Sequence, residues 1–426
     1  MRSRSAFAFA AFRRLWIAGF VSDIGDWMLF IALPLVVFQL SGSALGTSIA
    51  FLLELVPAVL LAPLAARLAG RFDRRWLMAI VNAAQALALV PLIFVQNEAA
   101  LPLVYAVIFV HASLSTLFEP AKNSLLPDLV DADRLVSANA LIGLNQNLGR
   151  LIGGPLGGVL LAIGGLGLIV TVDIVTYVLS AVLIATLPAT PGHVTDPADS
   201  APAGVLAALR IRRLGGAYAI ILISSVAQGL FLVIFLLFVL GPIGGSDAEV
   251  GALRGIQAVG AIVAGVALGL LVRAGSPRSL TIASLFAFGL LSLAIWNLPA
   301  LTTNVVPYLV LFAAVGAPGV VMVAGLMSTL QSESSPPQRA GVFAAVGLVG
   351  AVGQGAGILL AGLADGPIGL VPLLELQGIL YLVAGVIAYF LLPRHRKTVA
   401  AATDGQSAEP IGGSQQSAFE ASGPRA

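Results

Sequence analysis

The chain has 426 residues, of which 58% are hydrophobic and only 10% charged, with a formal net charge of +2 at neutral pH. A soluble domain carries about 25% charged residues so that its surface can face water. Most of this surface is therefore expected to face lipid, which argues against a soluble enzyme or a nucleic-acid-binding domain. Cysteine is absent, which removes disulfides and thiolate metal sites.

The apolar residues come in long blocks, and about 20 residues at about 1.5 Å each cross a hydrocarbon core. Helix is the expected form, because a lipid-embedded backbone must satisfy its own hydrogen bonds and no short alternating barrel segments occur. The 47 glycines and 24 prolines fit membrane helices, where small residues permit close packing. Twelve spans are predicted, at 15–40, 45–66, 77–96, 101–119, 137–163, 167–188, 217–241, 249–272, 279–297, 304–330, 340–364 and 369–392.

The first span carries Asp23 and Asp26 one turn apart. Asp26 lies about 18 Å along a helix from Arg14. Glu54 is near the middle of the second span, and the stretch Ala66-Arg67-Leu68-Ala69-Gly70-Arg71-Phe72-Asp73-Arg74-Arg75 leads into the third. The fourth span holds His111 and runs into Phe118-Glu119-Pro120-Ala121-Lys122-Asn123-Ser124-Leu125-Leu126-Pro127-Asp128. The fifth carries Asn145, Gln146, Asn147 and Arg150 among Gly149, Gly153, Gly154, Pro155, Gly157 and Gly158. Spaced glycines let a neighbouring helix approach, and Pro155 is expected to bend the axis. Plain packing is the equal alternative.

Residues 189–214, with Pro191, Pro197, Pro202, Asp196 and Asp199, form the longest internal polar break and are predicted to be a linker. The seventh span offers Gln228 and the series Phe231, Phe235, Phe238; the eighth offers Arg254 and Gln257. Asp173, Arg254 and Glu375 fall toward outer ends of spans and are expected to snorkel or play structural parts. The tail after Arg394 is rich in Ser, Gly, Gln and Ala and is expected to be disordered.

Basic residues test the topology. With the N-terminus inside, every Lys and Arg except Arg150 and Arg254 falls in an inside segment, and those two lie within spans. This positive-inside bias places both termini in the cytoplasm of a multi-pass protein of the inner (plasma) membrane. It also explains the basic runs without nucleic acid. At one constant offset Ser22 aligns with Ser225, Glu54 with Gln257, Arg75 with Arg278 and Leu77 with Leu280. With the central linker, this fits two parallel repeats. The predicted domains are a six-helix bundle at 1–188, the linker 189–214, a second bundle at 215–393 and a tail at 394–426.

Charge deep in a span costs roughly 2.5–3.5 kcal/mol by insertion scales, so Asp26, Asp23, Glu54 and Arg150 are the leading proton or substrate residues. A carboxylate removed from water can load and release a proton near neutral pH. Arg150 could bind an anionic group or pair with a carboxylate. The bland alternative is a permanent buried salt bridge of Arg150 with Asp26 or Glu54. His111, Asn145, Gln146, Gln228 and Gln257 are weaker cavity candidates, each equally readable as an interhelical hydrogen bond. The three phenylalanines of the seventh span could line an apolar surface, with packing the more common role.

The stretch 66–75 resembles the loop between helices 2 and 3 of the major facilitator superfamily, with Leu68, Arg71, Arg74 and Arg75 in place. Gly70 stands where that family has Asp, so the resemblance implies a cytoplasmic gate of Arg71, Asp73, Arg74 and Arg75 in which Asp73 substitutes. Ser22-Asp23-Ile24-Gly25-Asp26-Trp27, the 118–128 stretch and Ser137-Ala138-Asn139-Ala140-Leu141 resemble the branch of macrolide and enterobactin exporters. The fifth-span glycines are similar to an antiporter glycine motif. The resemblance implies an all-α fold of two pseudo-symmetric six-helix bundles. It also implies proton-coupled export of a small hydrophobic or amphipathic molecule, a drug, macrolide or siderophore, by a monomer needing no cofactor or metal. A lipid flippase or uptake carrier of the same fold is the alternative, and a non-transporting scaffold or receptor is the alternative of another class. No HExxH, Walker loop or supported Ser–His–Asp set suggests an enzyme.

Overall fold

The apolar blocks form helices, and among the described residues there is no strand. The computed structural model describes residues 6–189, 202–271, 276–335, 338–366 and 368–393. The predicted tail, linker residues 190–201, and the basic residues Arg2, Arg4, Arg273, Arg394, Arg396, Lys397 and Arg425 lie outside the described residues.

The helices are α1 (Ala10–Ser41), α2 (Ala44–Leu60), α3 (Ala62–Arg71), α4 (Arg74–Leu89), α5 (Leu101–Leu129), α6 (Leu135–Ala185) and α7 (Pro202–Leu209). They continue with α8 (Gly215–Leu240), α9 (Asp247–Leu271), α10 (Pro277–Asn297), α11 (Val305–Glu333), α12 (Arg339–Ala361) and α13 (Leu370–Leu391). Their limits follow local chemistry. Gly42 ends α1 in the left-handed conformation, with its N–H on the Phe38 carbonyl. Ser43 then caps α2 by accepting from the Gly46 N–H. Asp73 caps α4 by accepting from the N–H groups of Arg75 and Trp76.

Among the described residues, ten helical segments are long and apolar enough to cross a membrane, and eleven if α2 and α3, bent by 49° where they meet, count as one span. The longest, α6, has 51 residues, or about 77 Å, more than twice a hydrocarbon core of about 30 Å. It breaks at Gly165, whose φ of 66° and ψ of −169° are not helical. Counting α6 as two spans and the bent pair as one reaches the predicted twelve. The prediction put the bend at Pro155, but the non-helical residue is Gly165. The fourth span also extends to Leu129, well past its expected end at 119.

Helix ends meet in two groups. At one end Arg14 donates to the Thr186 carbonyl, Arg75 to that of Leu187 and Arg278 to that of Leu392. At the other, Gln39 donates to Asp247 and Asn297 to Glu375. The first is termed the basic end and the second the acidic end. α1 packs most extensively on α6; α8 packs on α12 and α13, and α10 on α11 and α13. Across the sequence halves the main contacts are α6 on α9 and α2 on α12. Within the linker, α7 packs on α12, with Gly204 against Gly341.

Candidate membrane transport site

The glycines of α6 decide where α1 sits. A Cβ on Gly149 would lie 2.7 Å from the Asp23 Cβ, and one on Gly157 would lie 2.8 Å from the Met28 Cα. Gly153 likewise has no room beside Ile24 and Trp27. About 100° round the helix, Gly154 and Gly158 face α9, where Gly251, Gly255 and the Asp247 backbone abut them. The Pro155 ring fills the space at Gly255. The glycines are thus two contact faces, one for α1 and one for α9.

Pressed against α6, α1 turns Asp26 into a hydrogen-bonded network. The buried Tyr177 of α6 donates its hydroxyl to Asp26 Oδ1. The Tyr177 oxygen lies 2.7 Å from His111 Nε2 of α5 and accepts from Gln85 Nε2 of α4 at 3.2 Å. Gln85 also donates to Ser115 Oγ at 2.8 Å. With the Tyr177 proton committed to Asp26, its oxygen must accept from both neighbours. That requires the His111 tautomer with a proton on Nε2. Each polar group has a use, as buried networks demand.

Asp26 also faces a cavity of about 550 Å³ between α1, α2 and α5. Glu54, His111, Ser115, Thr116 and Glu119 supply its polar lining, and Trp27, Phe30, Leu29, Leu33 and Ile108 its apolar walls. The size and mostly apolar lining suit a drug-sized organic molecule. Glu119 forms an ion pair with Lys122 one turn along α5, and Asp23 and Asp26 both lie within electrostatic reach of that pair.

The structure brings Asp26, Glu54 and His111 to one cavity. Asp23 lies one turn away on α1, beside Gly149. Arg150 makes no ion pair among the described residues and instead lies over the Trp27 ring, 5.7 Å from its centroid. The expected alternative of a salt bridge with Asp26 or Glu54 is therefore not what this structure shows. Asn145 is buried and donates to the Trp16 carbonyl at 3.1 Å, while Gln146 is exposed. Gln257 is buried beside Arg254, and Gln228 is half-buried; none of these four lines the cavity. Phe231, Phe235 and Phe238 are buried against Trp296, Phe312 and Tyr308, which is a packing role.

The gate residues find partners within the first half. Arg74 bonds to Asp128 at 2.6 Å and to the Ser124 carbonyl at 2.9 Å. Arg75 reaches Asp73 at 3.7 Å and the Leu187 carbonyl at 2.9 Å. Arg71 is exposed. No hydrogen bond or ion pair of this cluster to the second half, as expected of a latch, is seen among the described residues.

Asp173 and Arg254, expected to snorkel or to play structural parts, do not snorkel. Asp173 is fully buried, with Oδ1 accepting from Thr176 at 2.8 Å and Oδ2 unpartnered among the described residues. It occupies the space beside Gly25, where α1 has no side chain. Arg254 is 6% exposed and sits over the rings of Phe231 and Phe30. Sequence reasoning also missed Tyr177, Gln85, Ser115 and Glu119. Tyr177 falls four residues after Asp173, on the same helix face, which was an available signal. Glu119 lay inside the quoted 118–128 motif.

Comparison with known proteins places this chain in a family. The chain is 31% identical over 169 residues to the MFS-type transporter YfiS of Bacillus subtilis, covering 39% of this chain and 40% of that one. It is 23% identical over 387 residues to macrolide efflux protein A of Streptococcus pyogenes, covering 88% and 94% of the two chains. Among solved structures, a bacterial homologue of the iron transporter ferroportin in an inward-facing state superposes with a TM-score of 0.71 at 16% identity, over 90% of this chain and 99% of that one. A point mutant of the nucleoside transporter NupG superposes with a TM-score of 0.69 at 15% identity, over the same shares. The Major Facilitator Superfamily profile matches residues 15–361, and with this all-helical fold the chain belongs to that superfamily of membrane transporters.

Proposed function

We propose that the protein is a proton-coupled exporter of a small amphipathic molecule, working by alternating access between two six-helix halves with both termini in the cytoplasm. The observation that carries this reading is the Asp26–Tyr177–His111 network opening on a mostly apolar cavity. A carboxylate there can exchange a proton only through the cavity or the network, which ties its charge to the conformation around it. The similarity to macrolide efflux protein A supports export, and the basic end of the helices supports a cytoplasmic N-terminus.

Contacts between the halves favour a state open toward the basic end. Gln39 bonds to Asp247 at 3.0 Å, and the Ala44 N–H donates to Asp365. The glycine contacts of α6 with α9 and of Gly362 with Leu45 and Ser48 lie in the same acid-side half. Toward the basic end, a Cβ on Gly143, Gly265, Gly269 or Gly347 would meet nothing within 4 Å.

Inverted vesicles carrying the protein, energised with an inside-acid gradient, test the reading with a panel of hydrophobic drugs, macrolides and siderophores. Wild type is expected to accumulate its substrate and lose it when the gradient is collapsed. Asp26→Asn is expected to retain binding, because the amide mimics the protonated carboxyl, but to show no gradient-driven flux and no pH dependence. Flux indifferent to the gradient, or a fully active Asp26→Asn protein, overturns proton coupling at this residue.

A further inference from the structure

The network around Asp26 leaves two cations unused, Arg254 buried and Arg150 half-buried. Arg150 of α6 and Arg254 of α9 flank the crossing of those helices, where the Arg150 carbonyl lies 3.1 Å from a Cβ built on Gly255. Neither takes part in an ion pair among the described residues. Arg150 Nε is buried without a hydrogen-bond partner. Arg254, more than nine-tenths buried, donates to Gln257 Oε1 at a weak 3.4 Å. Aromatic rings hold both in place: Trp27 under Arg150 at 5.7 Å, and Phe231 and Phe30 under Arg254 at 4.9 and 5.7 Å.

Two like charges within electrostatic reach of each other and short of acceptors repel one another and forgo the hydrogen bonds that a guanidinium offers in its planar fork. Stacking on rings returns about 0.5–2 kcal/mol each, less than an uncompensated buried cation costs. The arrangement makes sense if an anion completes it. The position is the seam between the halves, where a transported group would be held and released as the helices move. Trp27 and Phe30 also form part of the cavity wall, so an apolar body in the cavity and an acidic group at the arginines could belong to one molecule.

We propose that Arg150 and Arg254 form a paired guanidinium site for the anionic group of an amphipathic organic acid, with Trp27 and Phe30 against its apolar body. This rests on the transport reading for the fate of the ligand, but its test needs no gradient and fails or stands separately from proton coupling. Bind 1-pyrenebutyrate and 1-pyrenebutanol, identical but for the head group, to purified protein in phosphatidylcholine nanodiscs, following energy transfer from tryptophan. The acid is expected to bind about ten-fold or more tighter than the alcohol, the gain from one charge-assisted hydrogen bond. In Arg150→Gln/Arg254→Gln that preference is expected to vanish while the alcohol still binds. If that protein has lost the alcohol too, Arg150→Lys/Arg254→Lys must retain a preference for the acid, and failure to do so overturns the proposal. Equal binding of the two probes by wild type, or an unchanged preference in the Gln variant, also overturns it. Phosphatidylglycerol nanodiscs distinguish the source of the anion: displacement of the acid identifies a lipid headgroup, and undiminished binding identifies a soluble amphipath.

Discussion

Tyr177 is the residue on which the candidate site turns, because its hydroxyl joins α1, α4, α5 and α6 through Asp26, Gln85 and His111. Removing that oxygen takes a partner from the buried Gln85 and from the half-buried Asp26 and His111. An unsatisfied buried group costs about 1–3 kcal/mol, so Tyr177→Phe is expected to lower the thermal midpoint in detergent and to slow proton-driven flux. A Tyr177→Phe protein with unchanged stability and flux would remove the network from the mechanism. Arg150 makes a separate forecast. Since it stacks on Trp27 and does not pair with Asp26, adding Arg150→Gln to Asp26→Asn is expected to restore neither stability nor flux. Rescue in the double mutant would show instead that the two charges are partners.

At the scale of elements, α6 acts as the spine because its glycines serve two neighbours. Gly153→Ala pushes a methyl into the α1 backbone and Gly158→Ala into that of α9, whereas Gly143→Ala meets open space. Overpacking costs about 1–3 kcal/mol, so the first two are expected to melt lower and the third to behave as wild type. Three equal melting curves would mean that the helices adjust freely and the stripes carry no weight. The start of α4 has its own test. Asp73 is a cap with a nearby Arg75, and Asn caps as well as Asp. Asp73→Asn is therefore expected to transport normally, while Asp73→Ala loses about 1 kcal/mol of stability. Loss of flux in Asp73→Asn with unchanged melting would restore the charge of Asp73 to a gating role.

For the whole molecule, the contacts at the acidic end between Gln39 and Asp247 and between Ala44 and Asp365 join the two sequence halves. If alternating access opens this end, these contacts must break in every cycle. The chain has no cysteine, so Gln39→Cys/Asp247→Cys introduces one pair on an otherwise silent background. Oxidation is expected to lock that end and stop flux, and a reductant to restore it. Flux that continues with the crosslink fully formed would exclude opening between α1 and α9. Tags at residue 1, in the linker and at residue 426 are all expected on the cytoplasmic side.

The sequence by itself determined that the chain is a helical membrane protein, because low charge and long apolar blocks leave the backbone one way to satisfy its hydrogen bonds; that it is a transporter was implied by the resemblance of stretches such as 66–75 and 118–128. It also singled out Asp26 and Glu54 as proton or substrate candidates, since charge at that depth needs a cavity or a partner, and both line the cavity. Partners were another matter. Asp26 meets Tyr177 across 151 positions, and no local period encodes a contact that distant. Arg150 and Arg254 were judged one by one by depth along their own helices, yet the crossing of α6 on α9 sets them together over the rings of α1 and α8. For Asp173 and Arg254 the choice between snorkelling and a structural part was left open for the same reason. Hydropathy measures how far a residue lies along its span, whereas the face it presents to other helices is fixed only when glycines let those helices close.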